Sequence, residues 1–173
     1  FIESIDLNSY LISTTLDKYY LLKNNKIIEI KSEVQNGFDM VLNSDKKPII
    51  ATLNGLAILD SNNVIEKLNL KQDIPIPYRI IKDQNKGYWI GTYMDGLFYL
   101  NEDLSIERHF KNSIQPYITS IFQDTNGTIW VSTDGSGVYS VRQSQFVKFD
   151  NSDGLSDNMI WSLKAHPISD EIF

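Results

Sequence analysis

Apolar residues along this 173-residue chain come in short runs, none longer than four or five positions, and clusters of Asn, Asp, Gly and Pro interrupt them every eight to ten positions. Runs of that length bounded by turn residues predict β-strands, because a helix needs a longer stretch of 3.6-residue periodicity. The runs also recur. Tyr88-Trp89-Ile90-Gly91-Thr92-Tyr93-Met94-Asp95-Gly96-Leu97-Phe98-Tyr99-Leu100 aligns without gaps on Ile129-Trp130-Val131-Ser132-Thr133-Asp134-Gly135-Ser136-Gly137-Val138-Tyr139-Ser140-Val141. The same frame fits Pro48 to Leu59 with one residue deleted and, more loosely, Tyr10 to Leu22. The repeated threonines are Thr14, Thr52, Thr92 and Thr133, at spacings of 38, 40 and 41 residues.

Each unit predicts four strands. A first run (Phe38 to Leu42, Tyr78 to Ile81, Tyr117 to Phe122) leads into a polar turn such as Asp83-Gln84-Asn85-Lys86-Gly87 or Asp124-Thr125-Asn126-Gly127. In those turns the Asp side chains are expected to cap backbone N–H groups and the glycines to supply positive φ. A second run ends in a small residue and Thr, a Gly-containing turn leads to a third, and a fourth follows at Ile27 to Ile30, Val64 to Leu68, Ile106 to Phe110 and Phe146 to Phe149. Four short strands in about 40 residues is the length of one propeller blade. The predicted fold is therefore all-β: a β-propeller of four-stranded blades present as a partial set, with approximate blades at 1–35, 36–75, 76–114 and 115–154 and the start of a further blade at 155–173. Phe173 falls where that blade's second-strand Trp is expected, and the chain starts at Phe1 rather than at an initiator Met, so it reads as a piece of a longer protein. Further blades of the same chain would then cover its exposed strand edges.

Composition narrows the function classes. The 16 Lys and Arg against 22 Asp and Glu give a net charge of -6, the wrong sign for a surface that attracts phosphate backbones or anionic lipid. Neither nucleic acid nor membrane contact by this segment is expected. A content of 42% hydrophobic and 12% aromatic residues marks a globular chain. The 23 Ile, 15 Asn and 3 Ala favour strands and turns over helices. The absence of cysteine excludes disulfides, thiolate metal sites and thiol nucleophiles. No apolar stretch approaches the roughly 20 residues of a membrane-spanning helix.

The repeats resemble those of the two-component regulator propeller family, whose pattern is a hydrophobic strand, Asp, a Gly turn, Trp-Ile-Gly-Thr and then Gly-Leu-Tyr. Ile81-Lys82-Asp83, Gly87, Trp89-Ile90-Gly91-Thr92 and Gly96-Leu97-Phe98 match it closely, and Asp124, Gly127, Trp130-Val131-Ser132-Thr133 and Gly137-Val138-Tyr139 nearly as well. Asp153-Gly154-Leu155-Ser156-Asp157-Asn158 is similar to the family's Gly-Leu-Ser-Asn link between blades. The first two units depart from the pattern, with Leu11 and Ile49 in place of Trp. The resemblance implies a non-catalytic, periplasmic, ligand-sensing segment of a hybrid two-component histidine kinase of the inner membrane, responding to oligosaccharides. Signalling across a membrane would make a homodimer the expected assembly. Nothing in the chain looks like kinase machinery: it has no Gly-rich nucleotide loop, and neither His109 nor His166 sits in a helical phosphoacceptor context. A carbohydrate-active propeller enzyme and a protein-interaction propeller are the alternatives.

Trp89 with Thr92 and Trp130 with Thr133 offer sugar-stacking rings, yet a residue repeated in every blade is expected to fill the space between blades. Asp83 and Asp124 lack the alternating ligands and closing Glu of a calcium loop, and two His with no Cys do not make a zinc site, so no metal and no cofactor are expected. His109 is placed on a fourth strand, at a blade's outer edge. Asp95 and Asp134 follow the repeated Thr on adjacent blades and are the candidate carboxylates for hydrolysis, which would need them about 5–10 Å apart. The positions that break the repeat carry the most information. First strands of a propeller line the central channel, and the loops entering them form the face where ligands bind. The entry positions Phe38-Asp39, Tyr78-Arg79, Tyr117-Ile118-Thr119 and Asn158-Met159-Ile160-Trp161 differ from blade to blade. Tyr78, Arg79, Tyr117, Thr119, Asn158 and Trp161 are the candidate ligand-binding residues, with Arg79 gripping a carboxylate or sugar hydroxyls while a ring stacks. Packing of the channel wall is the competing role.

Overall fold

A computed structural model describes residues 1–111, 113–114, 117–142 and 145–163. His166 and Phe173 lie outside the described residues. Four antiparallel strands, β1 (Ile2–Asp6), β2 (Ser9–Ser13), β3 (Tyr19–Lys23) and β4 (Lys26–Ser32), form the first blade. The second holds β5 (Gly37–Leu42), β6 (Pro48–Thr52), β7 (Gly55–Leu59) and β8 (Val64–Lys67). The third holds β9 (Pro77–Lys82), β10 (Tyr88–Thr92), β11 (Leu97–Leu100) and β12 (Ile106–Phe110). The fourth holds β13 (Ile118–Gln123), β14 (Ile129–Thr133), β15 (Val138–Arg142) and β16 (Gln145–Phe149). Inner strands neighbour one another, β5 against β9 and β9 against β13. The chain is a partial β-propeller. Its first two blades are also joined at the rim, where β4 pairs in parallel with β8 through Lys31 opposite Val64 and Ser32 opposite Ile65. Among the described residues the only helical element is a 3-10 turn at Asn151–Asp153.

Strand alternation explains where the core sits. Successive side chains of a strand point to opposite faces, so each second strand supplies the blade before it and the blade after it. Ile50 of β6 joins Leu11, Leu21 and Ile65 between the first two blades, while Ile49 and Ala51 join Ile80 and Ile90 between the second and third. Tyr88 and Ile90 of β10 face the second blade, whereas Trp89 packs with Ile118, Val131 and Tyr139 of the fourth. Every residue of β6 and β10 is buried, and every residue of β14 except Trp130. This corrects the expectation that both tryptophans are buried between blades. Trp89 is 8% exposed because the fourth blade covers it. Trp130 is only half-buried: it too points away from the preceding blade, here onto an open groove lined by Val138, Phe149, Leu155, Ile160 and Leu163.

The repeated Thr and its small neighbour have distinct duties. Thr52, Thr92 and Thr133 are fully buried, and each hydroxyl donates to the carbonyl of the glycine that closes the next turn, at 2.7, 2.9 and 2.9 Å. Thr14 does the same toward Lys18, at 3.2 Å. The preceding residue is small because a neighbouring inner strand lies against it: a Cβ on Gly91 would overlap the side chain of Ile118.

The first turn of the second, third and fourth units is a three-residue hairpin ending in a left-handed residue, Lys46, Lys86 and Gly127, a common solution for short β-hairpins. The fourth residue's N–H returns to the first residue's carbonyl from Lys86 to Asp83 at 3.0 Å and from Gly127 to Asp124 at 3.0 Å. The Asp carboxylates cap the loop, Asp83 accepting from Asn85 N and Asp124 from Asn126 N and Thr128 N. Glycine supplies the positive φ in one turn but not the other. Gly127 has φ 81°, whereas in the Asp83 turn the left-handed residue is Lys86, with φ 75°. Gly87 is there for another reason: a Cβ would strike Tyr99 and the carbonyl of Leu100.

Candidate ligand-binding face

The turn between the second and third strands lies beside the entry to the first. Thr92 pairs with Pro77, and the next N–H, that of Tyr93, donates to the carbonyl of Ile76 at 3.0 Å. In the fourth blade Asp134 N likewise donates to Tyr117 O at 3.1 Å. Entry residues and turn residues therefore share one face, and four rings meet on it. Phe38 lies 5.1 Å from Tyr78 between ring centroids, Tyr78 lies 6.1 Å from Tyr93, and Tyr93 lies 5.1 Å from Tyr117. The strip thus runs from the second blade across the third to the fourth. Tyr93 and Tyr117 are its open end, at 49% and 36% exposure, while Phe38 and Tyr78 are half-buried.

Arg79 lies over the strip, its Cζ 4.2 Å from the Tyr78 centroid and its Nη1 donating to the Tyr78 carbonyl at 3.0 Å. Among the described residues no carboxylate forms a salt bridge with it, and the remaining guanidinium N–H groups carry no hydrogen bond. Asp39 is near enough to feel its charge but is committed elsewhere: Oδ1 accepts from Met40 N and Oδ2 from Ile80 N, each at 3.0 Å. Burial pushes the Asp39 carboxyl up, against the opposing pull of those two N–H groups and of Arg79.

The structure brings Tyr78, Arg79 and Tyr117 together and separates the other three sequence candidates from them. Thr119 is buried, sharing a hydrogen bond with Ser132 Oγ at 2.8 Å and donating to the carbonyl of Ile160. Asn158 is half-buried and anchors the chain after the fourth blade, its carbonyl accepting from Gly137 N at 2.7 Å and its Oδ1 from Asn151 N at 2.9 Å. Trp161 is 68% exposed and makes no ring contact with the strip. Tyr93 was missed because it lies inside the repeat frame. Its signal was nonetheless present, since the residue after the repeated Thr changes from Thr15 to Leu53, Tyr93 and Asp134.

The remaining candidates have structural partners. Asp95 holds Lys111 Nζ at 2.7 Å and His109 Nε2 at 3.5 Å, while Asp134 is exposed. His109 is on the outer strand but stacks on Phe98 at 3.8 Å. Among the described residues no three His, Cys, Asp or Glu side chains group so as to hold a metal ion, and no helix is long and apolar enough to cross a membrane.

Residues 112–135, spanning β13, the Asp124 turn and β14, match the family described as the two component regulator propeller. One copy of the two-component regulator propeller repeat thus lies in residues 112–135. That match holds Asp124, Gly127 and Trp130-Val131-Ser132-Thr133, residues on which the sequence resemblance rests. No curated protein sequence matches the chain significantly. Among solved structures it is similar to the extracellular domain of a protein from B. thetaiotaomicron described as a hybrid two component system, with TM-score 0.82 and 20% identity over 96% of this chain and 24% of that one. It is similar also to the extracellular domain of one from the same organism described as a one component system, with TM-score 0.80 and 18% identity over 99% of this chain and 25% of that one. Virginiamycin B lyase from Staphylococcus aureus has the same fold at TM-score 0.66 and 17% identity, covering 86% of this chain and 54% of that one. These likenesses establish the propeller fold. The chain spans about a quarter of the length of the first two.

Proposed function

We propose that this chain is a non-catalytic, ligand-sensing propeller segment of a two-component sensor, placed outside the cytoplasm and responding to oligosaccharides. The observation that carries the reading is the strip of four rings across three blades, accompanied by Arg79, on the face where propellers take ligands. Aromatic rings with polar handles suit a ligand that presents both C–H faces and hydroxyls. The two-component regulator propeller repeat and the likeness to extracellular domains of Bacteroides signalling proteins support the same assignment. Further blades of the same protein would cover the open side of Trp130, and a histidine kinase of the hybrid type with a phosphorelay, anchored in the inner membrane and acting as a homodimer, would complete the system.

Thermal-shift screening of the complete protein against a panel of oligosaccharides tests the reading. A raised melting temperature with one glycan and no turnover of it is expected. Turnover of a bound glycan, or no shift with any oligosaccharide, would contradict it.

A further inference from the structure

Resting on that reading of the aromatic face, we infer that the oligosaccharide it takes carries a carboxylate, as a uronic-acid sugar does, and that Arg79 binds this group while a ring of the Tyr78–Tyr93–Tyr117 strip stacks on the sugar. A guanidinium has five N–H donors in a planar fork that matches a carboxylate bidentately. On Arg79 one of these is engaged, by the Tyr78 carbonyl, and no described carboxylate pairs with the charge. In a chain of net charge -6, with 22 Asp and Glu available, an Arg without such a partner beside four rings is conspicuous. Asp39 feels the Arg79 charge but forms no salt bridge with it; its two oxygens accept from Met40 N and Ile80 N.

Geometry supplies the rest. Stacking on Tyr78 removes rotamer freedom from Arg79 before any ligand arrives, so less entropy is lost when a carboxylate binds. The free donors then lie next to Tyr78, with Tyr93 6.1 Å further along and Tyr117 5.1 Å beyond it, so a charged sugar and its neighbours would follow one line across the third and fourth blades. A neutral sugar would leave that fork to water. Tyr93, which belongs to the turn and not to the inner strand, becomes part of the ligand surface.

The test is a titration of the complete protein with matched pairs of trisaccharides, galacturonate and glucuronate oligomers against their methyl esters, which keep the shape and remove the charge, with sulfated trisaccharides as a third arm. Arg79→Ala and Arg79→Lys are measured alongside, each checked for an unchanged melting temperature. The expected result is binding of a uronate, loss of more than about tenfold in affinity on esterification or in Arg79→Ala, and partial retention in Arg79→Lys. Equal affinity for acid and ester overturns the inference but leaves the sensor reading standing. So does binding confined to neutral or sulfated glycans. Binding of the acid that survives Arg79→Ala would place the carboxylate elsewhere and also overturn it. Absence of binding to every glycan would overturn the sensor reading as well.

Discussion

The indole N–H of Trp89 donates to Oδ1 of Asp83, six residues earlier, at 3.3 Å, and the same pairing recurs one blade on between Trp130 and Asp124, at 3.0 Å. The Trp and the Asp of the repeat are thus one device: the carboxylate shapes the turn and also satisfies the ring that the turn leads into. Asp83 does more, accepting from Gln123 Nε2 of the fourth blade at 2.7 Å and so tying two blades together.

Removal of Asp83 should therefore hurt more than removal of Asp124. Asp83→Ala strands the N–H of a buried Trp and the amide of Gln123, a loss of about 1–3 kcal/mol. Asp124→Ala exposes the N–H of a half-buried ring that water can reach, so its cost should be smaller. Urea denaturation of both variants in the 173-residue chain decides; equal losses would mean that the cap alone matters.

Trp89→Ala should cost about 3–5 kcal/mol, as truncation of a buried aromatic does. In the 173-residue chain Trp130→Ala should cost clearly less, because the ring is only half-buried. The gap should narrow in a protein that contains further blades. Melting curves of both variants in the short and complete proteins would reveal a constant gap if no blade docks on Trp130.

Gly91→Ala should destabilise by about 1–3 kcal/mol through overpacking against Ile118 of the next blade. Pairing it with Ile118→Ala, which removes the Cγ2 methyl that the new Cβ would strike, should give a double variant less destabilised than the sum of the two single losses. A simple sum of the two costs, read from denaturant midpoints, would contradict a direct contact.

Asp150 caps the 3-10 turn after the fourth blade, taking Ser152 Oγ at 2.6 Å, Ser152 N at 2.8 Å and Lys148 Nζ at 3.0 Å. These bonds hold its carboxyl down at about 2. Since the folded value lies below the unfolded one, the stabilisation is present above about 4 and disappears as pH falls through about 2. A carboxyl-carbon NMR titration should show that midpoint, and Ser152→Ala should raise it. An ordinary Asp midpoint in the parent chain would refute the cap.

Much of this was legible in the sequence because the repeat is written in residues with fixed duties. Thr92 and Thr133 close hairpins, Gly127 takes a left-handed φ, and the four strands of a unit follow at regular intervals. What escaped was tertiary. Whether Trp130 is buried depends on what lies across from it, the parallel pairing of β4 with β8 joins segments more than thirty residues apart, and His109 gains Phe98 only once two strands align. On the candidate binding face, Arg79 and Tyr117 stood out by breaking the repeat, whereas Tyr93 was concealed within it and Thr119 turned out to serve the strand beside it.

The ring strip on the entry face is the proposed ligand surface. It is tested most directly by the affinity of the complete protein for the oligosaccharide that raises its melting temperature most, before and after Tyr93→Ala. Tyr93 is half-exposed and outside every core cluster, so the substitution should leave the denaturation midpoint unchanged while weakening affinity about tenfold. Unchanged affinity in a folded Tyr93→Ala protein would contradict the account.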